Sequence, residues 1–278
     1  MSNNKLVHPV ESVHLVDAWI SSVEKLLEER SASLFNLVVG IQDPVTLTES
    51  DQMACFAVDK FLKAKKSLPL ITVANTIFPG GFYRDQGAEG VYEEFPKSYE
   101  ITKEGWGTYA GRLFTKVQMK DERTSRIERI IRKLKTNTSE SAVRMRASYE
   151  GDLLDTSTTE EISIYCAESD ANLGIGQPCL VHLSFKLHRD DTVSLTAMYR
   201  AQYYVAKALG NFVGLGQLLA FVANETGLKP GFLVCHATMA ELDLKNNRAR
   251  WTKDEIRTLL KECRSLQSSA QETKELLV

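Results

Sequence analysis

The chain has 278 residues, with 34 Lys and Arg against 36 Asp and Glu, and a formal net charge of −2. That length suits one large domain or two small ones and allows a substantial core. Hydrophobic residues at 43% and charged residues at 25% exclude disordered and fibrous classes, and the near-neutral charge argues against an electrostatic nucleic-acid binder.

No apolar run is expected to approach membrane-spanning length, and the start, Met-Ser-Asn-Asn-Lys, lacks the apolar stretch of a signal peptide. The expected setting is therefore soluble and cytoplasmic. The five cysteines, Cys55, Cys166, Cys179, Cys235 and Cys263, are scattered and never spaced Cys-x-x-Cys. Neither a disulfide framework nor a cysteine zinc site is expected. No His-x-x-x-His or Glu-x-x-His spacing occurs either, so no metal is expected.

No repeat or Pro/Gly-rich linker divides the chain, which is read as a single domain over 1–278 with a charged C-terminal helical tail from about 250. After a polar start, Val13, Val16, Trp19, Ile20, Val23, Leu26 and Leu27 recur at helical spacing. Leu34 to Ile41 reads as a strand. Thr48 to Lys66 reads as a helix capped by Thr48 or Ser50, and Leu68 to Val73 as an extended segment with Pro69 at its edge. Asn75 to Thr108 is rich in glycine and aromatics and mixes loop with short helix. Ile127, Ile130, Ile131 and Leu134 mark a helix whose other face is basic, a solvated surface rather than a nucleic-acid patch. Strands are expected at Ile162–Cys166, Cys179–Leu187 and Val193–Tyr199, the last two joined by a hairpin. Leu209 to Thr226 is a strongly apolar helix, stopped by Gly227 and followed by a Pro230-Gly231 turn and a strand at Phe232–Cys235. Thr252-Lys-Asp-Glu255 opens a last helix through about Cys263. Mixed rather than alternating strands and helices indicate an α+β fold.

The glycines of Gly210-Asn-Phe-Val-Gly-Leu-Gly216 fit no phosphate-loop spacing. The segment from Gln177 to Asp243 is more informative. Gly-Gln-Pro-Cys179 leads into a strand, a hairpin returns to Met198-Tyr199-Arg200, and eleven residues later Gly210-Asn211 opens the apolar helix, which Thr226-Gly-Leu-Lys-Pro-Gly231 follows. This order resembles the thymidylate synthase and pyrimidine (dCMP/CMP) hydroxymethylase superfamily. Leu68-Pro-Leu-Ile-Thr72 and Gly107-Thr-Tyr109-Ala-Gly-Arg112 are similar to upstream family segments, so the resemblance covers most of 68–243.

The resemblance implies a thymidylate synthase-like fold, with a mixed sheet around a long buried helix. It also implies a C5 pyrimidine methyl- or hydroxymethyltransferase using 5,10-methylenetetrahydrofolate. Cys179 corresponds to the nucleophile, with Arg200 nearby to favour its ionisation and to bind a phosphate. Asn211 would read the base through an amide donor and a carbonyl acceptor, and Tyr109 would relay a proton at C5. The family's serine after the arginine is Ala201, its pterin-binding aspartate is Tyr203, and the two residues that hold the ribose are Glu241 and Asp243. These changes point to a non-standard pyrimidine nucleotide or nucleoside, or to a nucleotide-binding or scaffold protein that has lost the transfer. The water-polarising glutamate has no counterpart in register, with Glu89, Glu93 and Glu94 as candidates. A homodimer is implied, with Leu183, Phe185, Leu195 and Ala197 packing sheet on sheet and Arg144 and Arg146 reaching across.

Overall fold

The computed structural model describes residues 5–102, 107–119, 122–138, 161–164, 170, 177–244 and 251–275. Arg144, Arg146 and Cys166, singled out above, lie outside them.

The centre is a mixed sheet of α+β type. Its strands are β1 (His8–Ser12), β2 (Ser33–Ile41), β5 (Glu161–Ser163), β6 (Leu180–Leu187), β7 (Thr192–Tyr199), β8 (Gln202–Tyr203) and β9 (Lys229–Glu241). They run in the order β1-β2-β9-β7-β6-β5, with β8 also on β9. β9 is the hub: antiparallel to β2, parallel to β7 and β8. A small hairpin, β3 (Val117–Met119) with β4 (Glu122–Thr124), stands apart.

Helix α1 (Leu15–Glu28) buries Val16, Trp19, Ile20, Val23 and Leu26 of the expected stripe, while Leu27 is partly buried and Val13 lies before the helix and is exposed. α2 (Glu49–Ala64) starts at Thr48, whose hydroxyl accepts from Asp51 N while the Asp51 carboxylate accepts from Thr48 N. The segment expected to be extended after Leu68 is instead helix α3 (Leu70–Asn75). Pro69 sits just before its first turn, where a missing N–H costs nothing, and Leu70 N donates to Asp59 Oδ1 at 2.7 Å. α4 (Gly80–Glu89), a π-helical turn at Gly90–Glu94, α5 (Phe95–Thr102), α6 (Tyr109–Phe114) and α7 (Arg126–Thr138) follow.

The apolar helix α8 (Leu209–Thr226) is continuous with a π-helical turn at Tyr204–Ala208. Against the expectation that no apolar run approaches membrane-spanning length, Tyr204–Thr226 is 23 residues long with mean hydropathy 1.5. Its place in the fold explains that composition: it lies between the sheet and α1 on one side and α3 on another, and 72% of the apolar window is buried. Gly227 ends it at φ 72°, a left-handed C-cap. Pro230 and Gly231 are not a turn but the opening of β9, which is far longer than the short strand expected. Val193 opposes Pro230 but Leu195 opposes Leu233, so a bulge accommodates the pair. The C-terminal helix α9 (Lys253–Glu275) is no free tail. Ile256, Leu259, Leu260 and Cys263 are buried against α2 and α1, and Arg264 bonds Asp17 and Glu24.

The parity of β6 and β7 corrects one expectation. Leu183, Phe185, Leu195 and Ala197 are fully buried in the core and do not line an open face. The alternate positions, His182, Thr196, Met198, Val234, His236 and Val38, point the other way and stay partly exposed. A shift of one residue moves a whole strand's side chains to the opposite face.

Close approach to α8 depends on missing side chains. A Cβ at Gly216 would lie 2.1 Å from Pro44 O, and one at Gly214 would lie 2.7 Å from Ala74 O. Gly216→Ala must push backbone apart and should cost about 1–3 kcal/mol. Gly227→Ala, with open space but the wrong φ, should cost about 1 kcal/mol. Urea midpoints for the two variants check this, with Gly216→Ala expected to be the lower.

Candidate functional site

Cys179 is the residue before β6, where the β6–β7 pair closes. Its carbonyl accepts from Arg200 N at 2.9 Å. Tyr109, at the start of α6, reaches across the fold: its phenolic oxygen accepts from Cys179 N at 3.0 Å and Leu180 N at 3.2 Å. Thr108 fixes that helix start by accepting from Gly111 N. Cys179 is therefore held by its backbone from two elements, and its side chain is only partly buried. Burial pushes the Tyr109 phenol up to about 12, despite the two amides that favour the anion.

Burial also pushes the Cys179 thiol above its ordinary value, against Arg200 and Lys207, which both pull it down. Arg200 thus acts in the expected direction but is outweighed. Burial drives Cys55, Cys235 and Cys263 up to about 12. Arg200 itself folds back along the chain. Nε donates to Pro178 O at 3.0 Å, Nη1 to Gln177 Oε1 at 2.5 Å and Nη2 to Gln177 O at 3.2 Å.

The remaining candidates converge at the end of β9. Tyr203 on β8 pairs in register with Glu241. The Tyr203 phenol is raised by burial and then by the charges of Glu241, Cys179 and Asp243. Burial also raises the Glu241 carboxyl. Asp243 is 5% exposed, at φ 50°, and its two oxygens accept from Val205 N at 3.2 Å and Ala206 N at 3.3 Å. It anchors the start of the buried helix. Asn211 follows in that helix, 6% exposed, and its amide makes no hydrogen bond to the described residues. Its amide atoms are not fully buried, so they can bond water or a ligand.

Sequence reasoning missed Lys207. It is half-buried in the π-helical turn, four residues before Asn211 and so on the same stripe. Burial lowers it, while Asp243 and Cys179 act to keep it charged. The sign available in the sequence was a lone basic residue inside the apolar run Tyr204–Phe221. Glu93 and Glu94, weighed for the water-polarising role, bond Lys116 and Lys97 at the surface. No group of three or more His, Cys, Asp or Glu that could hold a metal occurs among the described residues.

No family model matches the chain. Two curated proteins show a similar stretch. One, from Methanococcoides burtonii and described as "Putative thymidylate synthase", is 37% identical over 65 residues, 23% of this chain and 30% of that protein. The other, from Methanosarcina mazei and described in the same words, is 36% identical over 56 residues, 20% of this chain and 25% of that protein. The matched stretches thus span less than a third of either relative. Part of this chain is similar to part of two proteins so described.

Asp243 provides a test of the site's electrostatics. Burial, its largest influence, raises its carboxyl to about 7, and the two amides and Lys207 oppose that only in part. The folded state therefore holds a proton that the unfolded chain releases near 4. Stability from this group is complete below about pH 4 and declines until pH passes about 7, by roughly 2–4 kcal/mol. Asp243→Asn keeps a carbonyl for one amide and cannot titrate. Urea denaturation from pH 4 to pH 8 should show a flatter pH dependence for the variant, and an unchanged slope would refute the assignment.

Proposed function

We propose that the chain is a thymidylate synthase-like one-carbon transferase in which Cys179 attacks a pyrimidine nucleotide or nucleoside. The observation that carries the reading is a partly open cysteine whose backbone is clamped by Tyr109 and Arg200, with Asn211 at the family's spacing after Arg200. The partial similarity to two thymidylate synthase-like proteins supports it, and so does the mixed sheet around a buried helix.

The chemistry needs those groups. Carbon 5 of uracil has little nucleophilic character. Addition of the Cys179 sulfur to C6 forms the S–C6 bond and moves the C5=C6 electron pair toward C5 and O4, giving an enolate that can take an electrophile at C5. Expulsion of the C5 proton and of the thiolate then restores the ring. Asn211 can donate to one ring position and accept from its neighbour, the pattern a uracil edge presents. Arg200 commits a hydrogen on each of its three nitrogens to Gln177 and Pro178, which leaves the second hydrogens of Nη1 and Nη2 for a phosphate and favours a nucleoside or a singly phosphorylated ligand. Tyr109 holds the Cys179 backbone, and its hydroxyl proton is the nearest candidate for exchange at C5.

The resemblance implies 5,10-methylenetetrahydrofolate as donor. The residues present do not fit the pterin in the family's way, because position 203 is a phenol rather than a carboxylate. The competing reading, a scaffold that keeps the site without transfer, is favoured by the raised Cys179 thiol and the occupied Arg200.

Intact-mass spectrometry with 5-fluorouridine, its monophosphate and the deoxy monophosphate, each with and without the folate, separates the two readings. One-to-one adducts on wild type that vanish in Cys179→Ser are expected, and Asn211→Asp should move binding from uracil toward cytosine ligands. No adduct under any condition would leave the scaffold reading.

A second copy of the chain is the proposed partner, packed on the partly exposed sheet face of His182, Thr196, Met198, Val234 and His236. Light scattering at micromolar concentration should give twice the 31.2 kDa chain mass, and Met198→Glu should halve it; a wild-type monomer would exclude the dimer.

A further inference from the structure

Arg200 is exposed, and among the described residues its guanidinium pairs with no carboxylate. Its three hydrogen bonds all end on neutral oxygens: Nε on Pro178 O at 3.0 Å, Nη1 on Gln177 Oε1 at 2.5 Å and Nη2 on Gln177 O at 3.2 Å. All three acceptors belong to the two residues immediately before Cys179, and Arg200 N itself donates to Cys179 O. The two backbone carbonyls are placed by the path of the chain into β6. The Gln177 side chain supplies the one acceptor that a substitution can remove without moving the backbone.

A guanidinium with no counter-ion beside a nucleophile is suited to an anion, and a planar fork binds a phosphate best through two parallel N–H groups. Here the Gln177 amide already draws on one Nη1 hydrogen, and the partial negative charge of its oxygen stands where a phosphate oxygen would approach. We propose that Gln177 is a specificity-determining residue: its side-chain carbonyl competes with a ligand phosphate for Arg200 and biases the site toward uncharged ligands. A neutral amide oxygen is a weaker acceptor than a phosphate oxygen, so Gln177 handicaps a phosphate without excluding it. This role deepens the transferase reading and rests on it only for the identity of the ligand.

The deciding test uses inorganic phosphate and no pyrimidine, so it can succeed where the transferase reading fails. Modification of Arg200 by hydroxyphenylglyoxal is followed on the full chain by peptide mass spectrometry, and the phosphate concentration that halves its rate is measured. Gln177→Met keeps the side chain's length and removes the acceptor; it should lower that concentration about three- to tenfold. Gln177→Glu sets a carboxylate against the guanidinium and should raise it at least about tenfold. Arg30, exposed after α1, should stay unprotected in every variant. If Gln177→Met loses its fold by circular dichroism, Gln177→Ala takes its place with the same expected direction. Were Gln177 merely a brace holding Arg200 ready for phosphate, its removal would raise the half-protecting concentration. Such a rise, a value within about twofold of wild type, or no protection of Arg200 in either protein overturns the proposal. Calorimetry should show the UMP-to-uridine affinity ratio rising in Gln177→Met by the same factor, and an unchanged ratio counts against the proposal equally. The expected phosphate shift without any fluoropyrimidine adduct would leave this role standing and remove the transferase reading alone.

Discussion

The carboxylate of Asp243 on the amides of Val205 and Ala206 joins the end of β9 to the start of the buried helix, and the geometry of the site depends on that join. The first amides of a helix have no intrahelical acceptor, and in a buried helix water cannot replace one. A side chain arriving from β9 satisfies two of them. Trp19 supplies the matching bond on the acceptor side, its indole N–H donating to Tyr204 O at 2.7 Å. With both ends of the first turn tied, the helix cannot rotate, and Lys207 and Asn211 are held on their stripe. The π-helical turn belongs to the same constraint: it widens the spiral where backbone groups bond outward to Asp243 and Trp19.

Charge balance then distinguishes this site from the one the family resemblance implies. In that pattern arginine and hydroxyls serve a phosphate, and neutral side chains serve the sugar. Here Ala201 supplies no hydroxyl, Arg200 serves its own chain, and two carboxylates and a lysine occupy the far side. Burial raises Glu241 and Asp243 and lowers Lys207, so burial disfavours the charged form of each. A doubly charged ligand would upset that balance far more than a neutral nucleoside.

Much of the fold was legible because it rests on periodicity. The stripe of α1, the strands around Val38 and Leu195, the cap at Thr48 and the stop at Gly227 all appear where pattern and propensity agree. The failures have local causes. Pro69 reads as an edge-strand breaker or as a helix start, and only docking against α8 decides between them. Pro230-Gly231 has turn chemistry, yet a bulge opposite Val193 lets both enter β9. The parity of β6 and β7 was open because both faces of those strands carry apolar residues, Leu183 and Phe185 on one and Met198 on the other. At the site, the spacing of Cys179, Arg200 and Asn211 was visible in sequence. What the Arg200 guanidinium binds and what Asp243 holds are tertiary facts that spacing does not carry.

The same contrast bears on whether the site does chemistry. A cysteine kept only as packing would sit like Cys235, fully buried with its Sγ donating to Gln202 Oε1 and its thiol pushed up to about 12. Cys179 differs in each respect: its backbone is bonded by Tyr109 and Arg200, its side chain is partly open, and two cations oppose the burial that raises it. A half-buried lysine and an asparagine at the opening of an otherwise apolar helix pack less well there than aliphatic side chains would. A cost of that kind is usual where a site must meet polar groups of a ligand.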